Sequence, residues 1–399
     1  MTNDLRRRVV TRIESEREAL VALSLAVHRD PETAYEEHRA SERIASFLGE
    51  RGFDVTRPYG GLDTAFRAEA AGSDGPAIAI LAEYDALPDI GHGCGHNLIA
   101  MIGTAAAVGV SEVIRDLQGR VAAIGTPAEE GGGGKVALVR AGAFADIAAA
   151  MMVHPGSRTL SGRTSLASNR VELRFHGTAA HAAAQPDRGI NALDGLIQTF
   201  NAMNAMRQHL RPDARVHGII TSGGSAANII PEYAAGKFSI RARDRVYQQE
   251  VLRRFIACAK GAAAATGTTV EVLVNENSGY ENMVPSTPIS ERWAEHLRTL
   301  GIEVLPTSDE ERMGSTDMGN VSQVIPAAHP YIGIAPEGMP SHTAAFRDAA
   351  GSPQAHDNAI AAAKALALVA VDLLAEPALL AQARAEFEER QRTGIVKRR

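Results

Sequence analysis

The run Ala77-Ile-Ala-Ile-Leu-Ala82 is apolar without interruption, and acids follow at once at Glu83 and Asp85. A continuous apolar run of this length reads as a strand buried on both faces, the signature of a parallel sheet covered by helices. A glycine-rich turn carrying Cys94 and His96 comes next, followed by an apolar helical pattern over 98–117 that Asn97 is expected to cap. A thiol and an imidazole thus stand where a strand hands over to a helix, and in open α/β sheets ligands bind at that edge. The free N–H groups at the start of the helix are expected to favour the thiolate form of Cys94.

The same alternation continues. Segments 64–69, 121–125 and 147–153 read as strands, 135–143 as a helix, and 4–28 and 34–50 as N-terminal helices. Beyond residue 165 the order becomes strand, helix, strand, strand, helix, strand (170–175, 189–209, 215–221, 234–243, 247–265, 268–274), the ferredoxin-like order. Helices at 288–300, 356–375 and 378–391 and a strand at 330–335 complete the first domain. The expectation is an α/β catalytic domain, with a mixed, mostly parallel sheet flanked by helices, formed by 1–166 and 283–399. A smaller α+β domain at 167–282 is inserted into it, with hinges near 165 and 283. Only the basic tail at 396–399 reads as loose.

A chain of 399 residues is long for one core, which supports two domains. The net charge of −6 gives no reason to expect nucleic acid or a membrane surface as a partner. No segment reads as a signal peptide or a membrane span. Two cysteines in unrelated contexts, Cys94 and Cys258, point to a reduced, cytoplasmic protein.

Three more clusters follow predicted strands: Glu129-Glu130, His154-Pro155 and Ser341-His342. With Cys94 and His96 they bring one thiolate, three imidazoles and a carboxylate pair to one edge. These are ligands that suit zinc and its neighbours, and five exceed the four of a closed structural site, so two metals are expected. Of the adjacent glutamates, one can ligate while the other takes a proton from water. The run Gly131-Gly-Gly-Gly-Lys135 is not a phosphate loop, because Val136 stands where Ser or Thr is needed.

These stretches resemble metallopeptidase clan MH, the group of aminoacylases, succinyl-diaminopimelate desuccinylase and auxin-conjugate amidohydrolases. The matching segments include Glu83-Tyr-Asp-Ala-Leu-Pro88, Gly93-Cys-Gly-His-Asn97, Pro127-Ala-Glu-Glu130, Val153-His-Pro155, His181-Ala-Ala183, Gly223 to Pro231 and Gly314-Ser-Thr-Asp-Met-Gly319, and they run through most of the chain. Phrases such as Gly189-Ile-Asn-Ala-Leu-Asp194 and Arg215-Val-His-Gly-Ile-Ile220 resemble the aminoacylase-1-like-2 dipeptidase branch.

The resemblance implies Cys94, His96, Glu130, His154 and His342 as ligands of two divalent ions, zinc or manganese, possibly cobalt. It implies Glu129 as general base and Asp85 as the carboxylate orienting a ligand; Glu83 is given no ligand role. The inserted domain is expected to act as a lid and to form a homodimer, with His181 reaching the partner's site to stabilise the oxyanion. Asn228 and Arg241 are expected to hold the substrate carboxylate, and Thr316 to face the substrate. The implied reaction is hydrolysis of an N-acyl amino acid or dipeptide with a free carboxylate, through metal-activated water. The alternatives are a hydrolytic deaminase of an aromatic amino acid and a non-catalytic metal-binding protein.

Overall fold

The computed structural model describes residues 2–275, 279–307 and 314–393, so the tail at 396–399 lies outside the described residues. The described chain forms two compact units, Ser165–Asn282 with Gly314–Thr316 and the remainder.

The larger unit is built on a six-stranded sheet. Its order is Asp54–Thr56, Phe66–Ala71, Gln118–Gly125, Ser73–Ala82, Ile147–Met151 and Ala327–Ala328. The last four strands run parallel and the first two add on antiparallel. Alternate residues of the central strand feed opposite cores: Ile78 and Ile80 join Leu98, Met101 and Leu366, while Ala77, Ala79 and Leu81 join Ile124, Leu138 and Val321. Both faces exclude water, and an unbroken apolar run is what such a strand requires.

Helix His96–Ser111 lies against the central strand so closely that a Cβ on Gly103 would sit 2.7 Å from the Leu81 carbonyl oxygen. Asn97 does not cap it. Gly95 holds that position in the left-handed conformation, and Asn97 turns inward so that its Nδ2 donates to Ser24 Oγ and the Ala350 carbonyl. The helix therefore starts earlier than its apolar pattern indicated. The N-terminal helical segment is likewise divided, into Thr2–Ser15 and Arg17–Arg29 about Glu16, whose carboxylate is tied to Arg51. Helix Pro353–Ala375 is apolar and long enough to cross a membrane, yet it is a core helix here, with 78% of its most apolar window buried.

The smaller unit is an antiparallel four-stranded sheet in the order Thr269–Val274, Ala167–His176, Tyr233–Ala242 and Arg215–Ser222. Helices Ala192–Arg207 and Arg245–Thr266 pack on one face, where Leu173, Phe175, Leu196, Phe238 and Phe255 form the core. The helices are started by side chains that take up free N–H groups: Asn191 accepts from Leu193 and Asp244 from Tyr247. This is the ferredoxin-like arrangement, inserted into the α/β unit.

A candidate metal centre

The carboxyl ends of three parallel strands deliver the site. Ser73–Ala82 leads into Glu83 and Asp85, Gln118–Gly125 into Glu129 and Glu130, and Ile147–Met151 into His154. The turn holding Cys94 and His96 depends on the glycine between them. Gly95 has φ +78°, and a Cβ there would meet Pro155 Cγ at 2.6 Å, so only glycine brings thiol and imidazole together here. Ala128 (φ 60°) and His342 (φ 63°) also occupy the left-handed region. Strain of that kind is characteristic of functional loops.

The potential ligand atoms of Cys94, His96 and His154 lie within 4.8 Å of one another, as do those of Cys94, Glu130 and His342, and those of His96, Glu129 and Glu130. The five residues expected as ligands thus form one connected cluster. Both imidazoles are oriented alike. His96 Nδ1 faces Asp85 Oδ1 at 2.8 Å and His154 Nδ1 faces the Pro155 carbonyl at 2.6 Å, so Nε2 of each points into the cluster, where the neutral ring would offer its lone pair to an ion. His154 Nε2 is 3.6 Å from Cys94 Sγ, and His342 Nε2 is 3.4 Å from Glu130 Oε1. His96 Nε2 is fully buried and has no hydrogen-bond partner. Buried nitrogen is rarely left unsatisfied, and an ion held by this donor set would satisfy it. The residues fit divalent metal.

The electrostatics agree. Burial, then the charges of Glu83, Glu130 and Asp317, drives the Glu129 carboxyl well above its usual range. Burial and the Glu130 charge push the Cys94 thiol up, which overturns the thiolate expected from the helix start alone. Desolvation outweighs the helix end, and ionisation of this thiol needs a cation. Burial, followed by the charge on His96, pulls His154 down to about 3. Burial opposes ionisation of Asp85, but the charge and hydrogen bond of His96, the Glu130 N–H and Lys135 hold it below the usual carboxylate range.

In the smaller unit, His181 and Asn228 come together: strand Ala180–His181 pairs with Ile229–Ile230, and the Ala182 N–H donates to the Asn228 carbonyl at 3.0 Å. His181 Nδ1 accepts from the N–H groups of Ala183 and Ala184 at 3.3 and 3.2 Å, which leaves Nε2 of the neutral ring as a donor. Arg241 is elsewhere. It pairs with Ser168 at the far end of the strand that begins at Tyr233, the end where the Leu166 N–H donates to Gly314 near Thr316.

One residue that sequence reasoning passed over braces the glutamate pair. Glu37 Oε1 accepts the Ala128 N–H at 2.9 Å and Oε2 the Thr64 hydroxyl at 3.0 Å. An acid just before a helix carried no signal of that task.

A cluster of thiol, imidazole and carboxylate at the carboxyl edge of a parallel sheet defines a metal-dependent hydrolase. Residues 162–266 match the M20 peptidase dimerisation domain. The chain is 40% identical to Xaa-Arg dipeptidase of Mus musculus, over 96% of this chain and 92% of that protein. It is 30% identical to one of the p-aminobenzoyl-glutamate hydrolase polypeptides of Escherichia coli (strain K12), over 94% and 93%. A Bacillus subtilis structure described as a dinuclear metal binding peptidase from the M20 family has the same fold, with a TM-score of 0.64 at 22% identity over 90% of this chain and 99% of that one. The chain belongs to the M20 peptidase family and is a hydrolase of amide bonds.

Proposed function

We propose that Cys94, His96, Glu130, His154 and His342 hold two divalent ions, and that the enzyme cleaves the amide bond of a dipeptide or N-acyl amino acid bearing a free carboxylate. One observation carries the metal reading: Cys94 belongs to two separate ligand clusters, one with His96 and His154 and one with Glu130 and His342. The thiol favours zinc, and the carboxylate and imidazoles are equally suited to manganese or cobalt. Bound ions would lower the pKa of water and polarise the scissile carbonyl.

The chain's own residues do the rest. Glu129, buried and with a raised pKa, takes a proton from the attacking water and returns it to the departing amine nitrogen. Asp85 orients the His96 ring and, through its second oxygen, the Glu130 backbone N–H at 2.9 Å. His181 of the partner subunit, in a homodimer formed by the inserted domain, donates from Nε2 to the developing oxyanion. Asn228 beside it binds the substrate, with Arg241 and Thr316 as further contacts. A reducing, cytoplasmic setting keeps Cys94 available. The 40% identity to Xaa-Arg dipeptidase favours dipeptides with a basic C-terminal residue.

The test is mass spectrometry of products from the metal-loaded enzyme. The panel holds dipeptides ending in Lys, Arg and Glu, N-acetyl amino acids, aromatic acyl-amino-acid conjugates and aromatic amino acids. Release of Arg or Lys from a dipeptide is the expected result. Ammonia from an aromatic amino acid would move the site to deamination, and no product with zinc, manganese or cobalt would overturn the reading.

A further inference from the structure

Glu83, Lys135 and Asp317 form a fully buried charged trio beside the cluster. Lys135 Nζ pairs with Glu83 Oε1 and lies 2.8 Å from Asp317 Oδ1, while the Lys135 backbone N–H donates to Asp317 Oδ2 at 2.9 Å. Burial works against the ammonium, but Asp317 and Glu83 hold it charged. Lys135 and Asp317 alone would balance. Glu83 adds a second carboxylate to a trio with one ammonium and no exposure to water, and a buried carboxylate oxygen calls for a partner such as a cation.

The other oxygen of Glu83 shows where that cation belongs. Oε2 has no hydrogen-bond partner, and it lies 3.5 Å from His96 Nε2, which also has none. Donors about 2.0–2.2 Å from one tetrahedral ion are roughly 3.4 Å apart, so the two orphaned atoms stand at the spacing of ligands that share an ion. Asp85 fixes the His96 ring and Lys135 fixes the Glu83 carboxylate, each from the side away from the shared space. Ligating carboxylates are commonly braced in this way.

We infer that Glu83 is a further ligand, sharing an ion with His96, and that Lys135 and Asp317 are positioning residues that hold it there. The inference rests on the metal centre proposed above. It gives Lys135, at the end of the glycine run, a task that no phosphate loop would assign it.

Metal binding by the purified full chain tests it, with Zn²⁺ titrated calorimetrically and Co²⁺ spectra recorded for wild type, Glu83→Gln and Lys135→Met. Metal-free melting temperatures are taken in parallel. Glu83→Gln is expected to weaken one of two bound ions by about 10–100-fold and to change the Co²⁺ ligand-field bands, without a matching fall in the metal-free melting temperature. Lys135→Met should shift the same ion, and it decides the matter should Glu83→Gln not fold. Unchanged affinity and spectra in a folded variant would overturn the inference while leaving the metal centre intact. Failure of the wild-type chain to bind either metal would overturn the centre itself, and the inference with it.

Discussion

Asp85 joins the two halves of the site: Oδ1 faces His96 Nδ1 at 2.8 Å and Oδ2 accepts the Glu130 N–H at 2.9 Å. One carboxylate at the end of the central strand thereby sets both an imidazole and the glutamate turn. Asp85→Asn is expected to weaken metal binding by about 10–100-fold and to lower kcat. Calorimetric titration and steady-state kinetics on the same preparation check this. Wild-type affinity would leave Asp85 without a part in holding the metal.

Gly95 is equally constrained. An alanine there would have to adopt φ +78° with its Cβ 2.6 Å from Pro155 Cγ. The left-handed backbone alone costs about 1–2 kcal/mol, and relief of the overlap moves Cys94 away from His154. Gly95→Ala should lower both stability in denaturant and the bound-metal content.

Glu37 provides a pH signature. Burial, then the charge on Asp85, pushes its carboxyl up to about 7. A folded pKa above the unfolded value of ~4.5 means that the group's contribution is fully present below ~4.5 and is lost as pH rises through about 7. The stability of the metal-free wild type relative to Glu37→Gln should fall across that window, by a few kcal/mol at most, on the order of 3. Denaturant titrations at a series of pH values read it directly.

Asp372 shows the opposite sign. Burial opposes its ionisation, but hydrogen bonds from His296, Arg292 and Arg6 outweigh burial and hold the carboxyl below its usual range. All three partners stand at 2.7 Å. Its stabilisation is present above the unfolded pKa of ~3.9 and is lost as pH falls through the lower folded value. Asp372→Ala is expected to cost on the order of 3 kcal/mol at neutral pH, because it removes the buried carboxylate that the partly buried Arg6 and Arg292 and the His296 ring share. Asp372→Asn should lose less additional stability than wild type below pH ~4.

Most of the scaffold was legible in the sequence, because burial on both faces leaves an unbroken apolar run at 77–82 and burial on one face leaves alternation at 170–175. The gathering of Cys94, His96, Glu130, His154 and His342 was legible too, since each lies in a segment that follows a strand of the larger unit. Contacts between distant segments were not. Asn97 has the composition of a cap, but Gly95 takes that position because the turn requires a left-handed residue close to Pro155. Lys135 closes a glycine run that is not a phosphate loop and carries no other local signal, and its partners Glu83 and Asp317 lie far off in sequence. Arg241 and Asn228 are near in sequence, yet Asn228 precedes the start of strand Tyr233–Ala242 while Arg241 stands at its far end.

Glu129 moves the proton while other residues hold the metal, and on that division of labour everything proposed for the reaction depends. Glu129→Gln, loaded with zinc or manganese and assayed on the substrate that wild type hydrolyses, tests it in one preparation. Two bound ions as in wild type and a kcat lower by about 10²–10⁴-fold are the expected result. Wild-type turnover in that variant, or loss of the metals along with the activity, would contradict it.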